Sequence, residues 1–181
     1  MNTIKKLLIA IRYSLAILAC LNAAPTIAQD NYPNKPIRFI LGFPAGGGTD
    51  SILRSITAKL TENLGVPVIV ENKPGANANI AGEYVAKSAP DGYTLMVTAD
   101  SSMVINPSLY KNTGFDPIKD FEPVATVATA GYVLVANPNF PAKNTAELIA
   151  LAKQQPGKIN IGSAGNGTLN HLIGEMLSKA A

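Results

Sequence analysis

Two stretches of this chain place glycines and small hydrogen-bonding residues where a strand would pass into a helix. They are Phe43-Pro-Ala-Gly-Gly-Gly-Thr49-Asp50 and Ile161-Gly-Ser-Ala-Gly-Asn-Gly-Thr168. Glycine lets the backbone turn tightly and come close to a ligand. The helix start beyond each turn offers unpaired N–H groups and a partial positive charge, which together favour an anion. Ser163, Asn166 and Thr168 add side-chain donors to the second turn. Neither stretch contains Lys or Arg, so a modestly charged carboxylate suits them better than a polyphosphate. A nucleotide P-loop would end in Lys and Ser/Thr, whereas the first turn ends Gly48-Thr49-Asp50. The dinucleotide pattern fails because Ala164 stands where its second glycine would be. Two such turns, one at each end of a small molecule, could hold a dicarboxylate. The rival reading makes both of them ordinary strand–helix turns, chosen for tight packing.

Catalytic constellations are scarce. An exported hydrolase would want Gly-x-Ser-x-Gly and a triad His, but Ser163 is preceded by Ile161-Gly162 and the only histidine is His171. His171 reads as a packed, hydrogen-bonded helix residue. Tyr84 and Tyr110 read as packing residues, and Asp50 as a helix N-cap rather than a ligand contact. No cofactor is implied.

The first 28 residues set the compartment. Lys5, Lys6 and Arg12 precede an apolar run over residues 13–21, and Thr26-Ile27-Ala28 supplies small residues for cleavage. That order is a secretory signal peptide, and the run is too short to span a bilayer as a helix. Cleavage after Ala28 would release a periplasmic chain beginning at Gln29. An alternative makes Ile17-Leu18-Ala19-Cys20 a lipoprotein box, with Cys20 acylated. The whole chain has 15 Lys+Arg and 12 Asp+Glu. The leader holds three of those bases and no acid, so the remainder is charge-balanced and offers no basic field for nucleic acid. Cys20 is the only cysteine, so the remainder can form neither a disulfide framework nor a thiolate metal site.

Beyond the leader, strand and helix patterns alternate, as in an α/β layer with a mostly parallel sheet. Residues 37–43 form a continuous apolar strand, the sign of burial on both faces. A helix over residues 50–64 follows, with Thr49 or Asp50 as N-cap and Gly65 as its stop. Residues 67–70 and 93–98 read as further strands, and 79–87 as a second helix. Residues 100–123, rich in proline and polar residues, read as a connection. Residues 124–127, 132–136 and 158–161 read as strands of a second unit. Asn144 with Glu147 marks a capping box opening a helix to Gln154. The last helix starts near Thr168, its stripe of Leu169, Leu172, Ile173, Met176 and Leu177 awaiting a following strand. A chain ending short of a complete lobe is expected.

Several of these segments together resemble the Bug family, the periplasmic receptors of tripartite tricarboxylate transporters. They are Tyr32-Pro33-x-Lys35-Pro36-Ile37, the first glycine turn, Val70-Glu-Asn-Lys-Pro-Gly75-Ala76, Ala89-Pro-Asp-Gly-Tyr93-Thr94-Leu95, Phe121-Glu-Pro-Val124 and Pro156-Gly-Lys-Ile-Asn160-Ile-Gly-Ser163. The resemblance implies a two-lobed, periplasmic-binding-protein-like (Venus flytrap) α/β fold, incomplete at the C-terminus. Residues 29–105 would be the N-terminal part of the first lobe, and 106–181 the connection and an incomplete second lobe. It implies capture of a small carboxylate, a di- or tricarboxylate or related acid, for delivery by a monomeric receptor to membrane permease subunits. The ligand-facing groups would be Phe43, Pro44, Ala45, Gly46 and Gly47 on the first turn and Ser163, Ala164, Gly165 and Thr168 on the second. Ala99, Ser101 and Ser102 would contribute from the loop after the third strand. A receptor presenting the same ligand to a sensor kinase, or a non-functional fragment of such a receptor, are the alternatives.

Overall fold

The computed structural model describes residues 31–181. The leader, its cleavage site and Cys20 lie outside the described residues. From residue 33 onward the chain forms one unit. Its frame alternates strand and helix: β1 (Ile37–Leu41), α1 (Gly48–Leu64), β2 (Val68–Asn72), α2 (Asn79–Ala86) and β3 (Thr94–Val97). The three strands form a parallel sheet in the order β2-β1-β3, with Ile37 opposite Val68 and Arg38 opposite Thr94. The continuous apolar run of β1 therefore occupies the centre, where both neighbours flank it, and Ile37, Ile40 and Leu41 are buried. Leu53 of α1 and Ala78 and Ala81 at α2 complete that core.

Local chemistry explains where these elements stop. Gly65 takes the left-handed conformation (φ 70°) and returns its N–H to the Thr61 carbonyl, closing α1. The Thr61 hydroxyl then accepts from the Val68 N–H at 3.0 Å, which sets the start of β2. Arg38 and Glu71 pair across β1 and β2 at 2.6 and 2.8 Å, and Arg38 also donates to the Tyr84 hydroxyl at 2.8 Å. Tyr84 thus ties α2 to the sheet through its polar tip as well as its ring. Gly82 has no room for a side chain: a Cβ there would lie 2.2 Å from the Phe115 ring, which packs edge-on against Phe121.

Three expectations change. Residues 100–123 are not a plain connection, for they contain α3 (Asp100–Val104) and α4 (Asn106–Leu109), the latter with Pro107 in its first turn. Proline is tolerated there because the first helical N–H groups have no intrahelical acceptor. Residues 124–127, 132–136 and 158–161 carry no strand. Their β-branched content suits a pleated, half-buried surface, but among the described residues no neighbouring strand supplies the ladder that such a surface needs. The N-cap of α1 is Gly47, not Thr49 or Asp50, which sit inside the first turn. Downstream, α5 (Thr145–Gln154) opens on half of the expected box: Asn144 accepts from the Glu147 N–H at 2.9 Å, while Glu147 accepts at 2.7 Å from the N–H of Lys143, one residue before the cap. Finally, α6 (Leu169–Ala180) starts at a Thr168 cap.

Candidate functional site

The carboxyl ends of parallel strands are where open α/β sheets bind ligands, beside the point at which the strand order reverses. Here β1 is central and its two neighbours lie on opposite sides. The loops after β1 and β3 therefore flank that point.

The first loop is shaped by one buried carboxylate. Gly46 (φ 79°) is the third residue of a turn closed by the Gly47 N–H and the Pro44 carbonyl at 3.3 Å, a position where glycine avoids strain. Asp50, only 3% exposed, accepts from the Gly46 N–H at 2.9 Å and from Arg54 Nε at 2.9 Å. Its other oxygen accepts from Asn72 Nδ2 at 3.0 Å, and the same amide donates to the Phe43 carbonyl at 3.0 Å. Arg54 closes the ring by donating to Asn72 Oδ1 at 3.1 Å. The Arg54 guanidinium, then the Gly46 N–H and then the Asn72 amide hold the Asp50 carboxyl far below the usual carboxylate range. Asp50 is thus charged, neutralised in place and committed to the turn's own backbone. The N–H groups of Gly48 and Thr49 open α1 with no intrahelical acceptor.

The loop after β3 is spent differently. Ser102 is fully buried; its hydroxyl donates to the Ala99 carbonyl at 2.8 Å and pairs with the Thr98 hydroxyl. Ser101 is also buried, with its hydroxyl 3.5 Å from Asn77 Nδ2. The loop after β2 carries Ala76, Asn77 and Ala78, all at positive φ. Asn77 Nδ2 donates to Asn106 Oδ1 at 2.7 Å and to the Gly167 carbonyl at 2.9 Å.

That last bond reaches the second glycine turn. Thr168, 7% exposed, caps α6 by accepting from the His171 N–H at 3.4 Å and donates to the Gly165 carbonyl at 2.7 Å. His171 Nδ1 accepts from the Gly167 N–H at 3.3 Å, and Nε2 lies 3.6 Å from Glu175. The expectation that His171 is a hydrogen-bonded helix residue holds. Ser163 Oγ accepts from the Gly165 N–H at 3.4 Å, and Ser163, Ala164 and Gly165 are exposed, as are Pro44, Ala45 and Gly46. Phe43 and Gly47 are half-buried.

Of the residues picked out by sequence, Ser101 is linked through Asn77 to Gly167, the residue before Thr168, while the turn over residues 43–47 is held by Asp50 and Asn72. Those two asparagines and Arg54 escaped sequence reasoning. For the asparagines the one signal was their clustering with Asn79 between residues 72 and 79; Arg54 had none. Among the described residues, no group of three His, Cys, Asp or Glu could hold a metal ion, and no helix is long and apolar enough to cross a membrane.

Comparison with known proteins adds what geometry alone lacks. The sequence pattern of the family described as "Tripartite tricarboxylate transporter family receptor" matches residues 52–181. A UPF0065 protein of Bordetella pertussis is 44% identical over 163 residues, covering 90% of this chain and 50% of that protein. The solved structure of the periplasmic binding protein BugD superposes with a TM-score of 0.69 at 37% identity, over 82% of this chain and 50% of that one. MatC from Rhodopseudomonas palustris, solved with bound malate, gives a TM-score of 0.73 at 31% identity, over 81% of this chain and 51% of that one. The chain spans about half the length of the curated relatives it matches.

Proposed function

The chain belongs to the tripartite tricarboxylate transporter receptor family, and from that premise we propose that it captures a small carboxylate outside the cytoplasm and hands it to membrane permease subunits. The observation that carries this reading is the state of the turn after β1. Its one acid, Asp50, is neutralised by Arg54 and bonded inward to Gly46 and Asn72. What remains to meet a ligand is backbone polarity. It comprises the open N–H groups at the start of α1 and those after the second turn, where Leu169 and Asn170 begin α6.

Those groups suit a carboxylate. Malate is what MatC holds, and a hydroxy- or unsubstituted dicarboxylate is the ligand class proposed for this chain. Phe43, Pro44, Ala45, Gly46 and Gly47 would line one side. Ser163, Ala164, Gly165 and Thr168 would line the other, with Ser101 and Ser102 supporting from below. Hydroxyls already spent on backbone groups, those of Ser102 and Thr168, would shape the site rather than grip the ligand. The role is a receptor's, not an enzyme's. His171 Nδ1 is occupied by the Gly167 N–H, and Ser163 has no base beside it in its hydrogen bonding. Export through the leader, with cleavage after Ala28, belongs to the same proposal, as does the division at residue 105 between a first and a second lobe.

Thermal unfolding of residues 29–181 with L-malate, succinate or citrate tests it. A ligand that binds only the native state raises the midpoint, by about 2.7 kcal/mol of stabilisation at roughly one hundred times its Kd. A cooperative transition that none of these acids moves would remove the carboxylate reading.

A further inference from the structure

Resting on that receptor reading, we propose that Asn77 is a positioning residue for the ligand site: its side-chain amide seats the second glycine turn against the carboxyl end of the sheet. The backbone around it is unusual. Gly75 has φ 137°, and Ala76, Asn77 and Ala78 follow at 46°, 50° and 71°. L residues rarely take the left-handed region, and three in succession persist only where their surroundings over-determine them. Here they do. Ala78 is fully buried, and its methyl fills the space where a Cβ on Gly42 would fall, 2.1 Å away. Asn106, itself fully buried, donates to the Asn77 carbonyl at 2.9 Å and to Asn79 Oδ1 at 2.6 Å, fixing the chain on both sides of Ala78.

The strained turn aims one side chain at three elements. Asn77 Nδ2 meets Asn106 Oδ1 on α4, the Gly167 carbonyl and, at 3.5 Å, Ser101 on α3. Two acceptors facing Nδ2 settle which way the amide points, since a flip would set oxygen against oxygen. In that orientation Asn77 Oδ1 is buried without a partner. A buried orphan acceptor is costly, so strain and orphan together mark a residue retained for what its donor does.

What the donor does is visible on the other side. Gly167 (φ 86°) is pressed so closely against α4 that a Cβ would stand 3.0 Å from Leu109, 3.2 Å from Tyr110 and 3.3 Å from Asn106. Tyr110 donates to the preceding carbonyl, that of Asn166, at 3.1 Å. Two successive carbonyls are therefore held, and in a planar trans peptide that fixes the next N–H groups as well. Those peptides lead straight into the Thr168 cap and the first N–H groups of α6, the groups assigned to the carboxylate. Asn77 acts on the ligand through them and need not touch it.

The test compares Asn77→Asp and Asn77→Gly with the wild type. Aspartate keeps the size and the tolerance of positive φ but turns the donor into an acceptor facing Gly167. Glycine removes the side chain and relieves the backbone. Both should speed amide exchange at residues 165–171 by about tenfold or more and raise the Kd for L-malate by about tenfold, the scale of one hydrogen bond of good geometry. Glycine relieves the backbone and so should lower the thermal midpoint less than aspartate does, whereas malate affinity should fall alike in both, a split that a merely structural role would not give. Unchanged exchange at residues 165–171 in both variants would overturn the inference, as would faster exchange with unaltered malate affinity. Wild-type protein that takes up none of L-malate, succinate and citrate would instead remove the receptor reading, leaving exchange to decide whether Asn77 seats the turn.

Discussion

Asp50 shows how a single side chain can decide what a glycine turn is able to bind. An unpaired acid at the head of α1 would repel a carboxylate, yet this one is held between Arg54, the Gly46 N–H and Asn72. Its folded-state pKa lies far below its ordinary value of 3.8. A depressed carboxyl stabilises the fold fully above that ordinary value, and the contribution is lost as pH falls below it toward the folded one. Asp50→Asn would place amide hydrogens against Arg54 or Gly46. Its midpoint should fall below the wild type's at pH 7, and the gap should close as pH drops below about 4. Glu71, Asp91 and Asp116 are depressed in the same direction, so both proteins lose stability in acid. Only the difference between the two curves reports Asp50. A constant gap from pH 7 to pH 3 would show that the carboxylate's charge is not what the turn depends on.

At the scale of elements, α5 isolates the effect of a cap. It has no buried residue, so little packing reinforces it and its start depends on the Asn144–Glu147 box. Asn144→Ala should cost the helix about 1 kcal/mol. Because the loss is local, it should appear as faster amide exchange over residues 145–149 with the midpoint of the sheet unmoved. Equal slowing or speeding across β1 would contradict that independence. This box was legible in the sequence, as were β1, α1, β2, α2 and β3, because the composition and period that mark each lie within its own residues. The apolar run of β1 predicts its central place, and Gly65 the end of α1. What the sequence hid depends on distant partners. Asn77 meets a carbonyl 90 residues away, and Asn72 reaches back to Phe43. A local cluster of amides marks both, but nothing in it names the partner. Helices α3 and α4 were hidden by proline, read as a breaker although Pro107 sits where a helix accepts it. Residues 124–127, 132–136 and 158–161 show the opposite failure: strand composition states a preference, and pairing needs a neighbour.

Across the whole molecule, that unmet preference leaves a surface. Val124, Val133 and Val135 are each about four-fifths exposed, and Val127, Tyr132 and Leu134 are exposed beside them. Exposed apolar side chains clustered along the sequence in this way promote association, and strand-forming residues without a ladder invite pairing with another chain. Residues 29–181 should therefore bind an apolar fluorescent dye and self-associate at micromolar concentration. Val133 and Val135 are two apart and would share one face of any strand they form. Replacing both with Lys should lower dye fluorescence and shift sedimentation toward monomer. The unfolding midpoint should not fall, because side chains 83% and 80% exposed contribute little burial to lose. Dye binding that survives the double substitution would move the association surface elsewhere, to Ile161 and Met176 at the far end of the chain, where the same pair of measurements on Met176→Lys would find it.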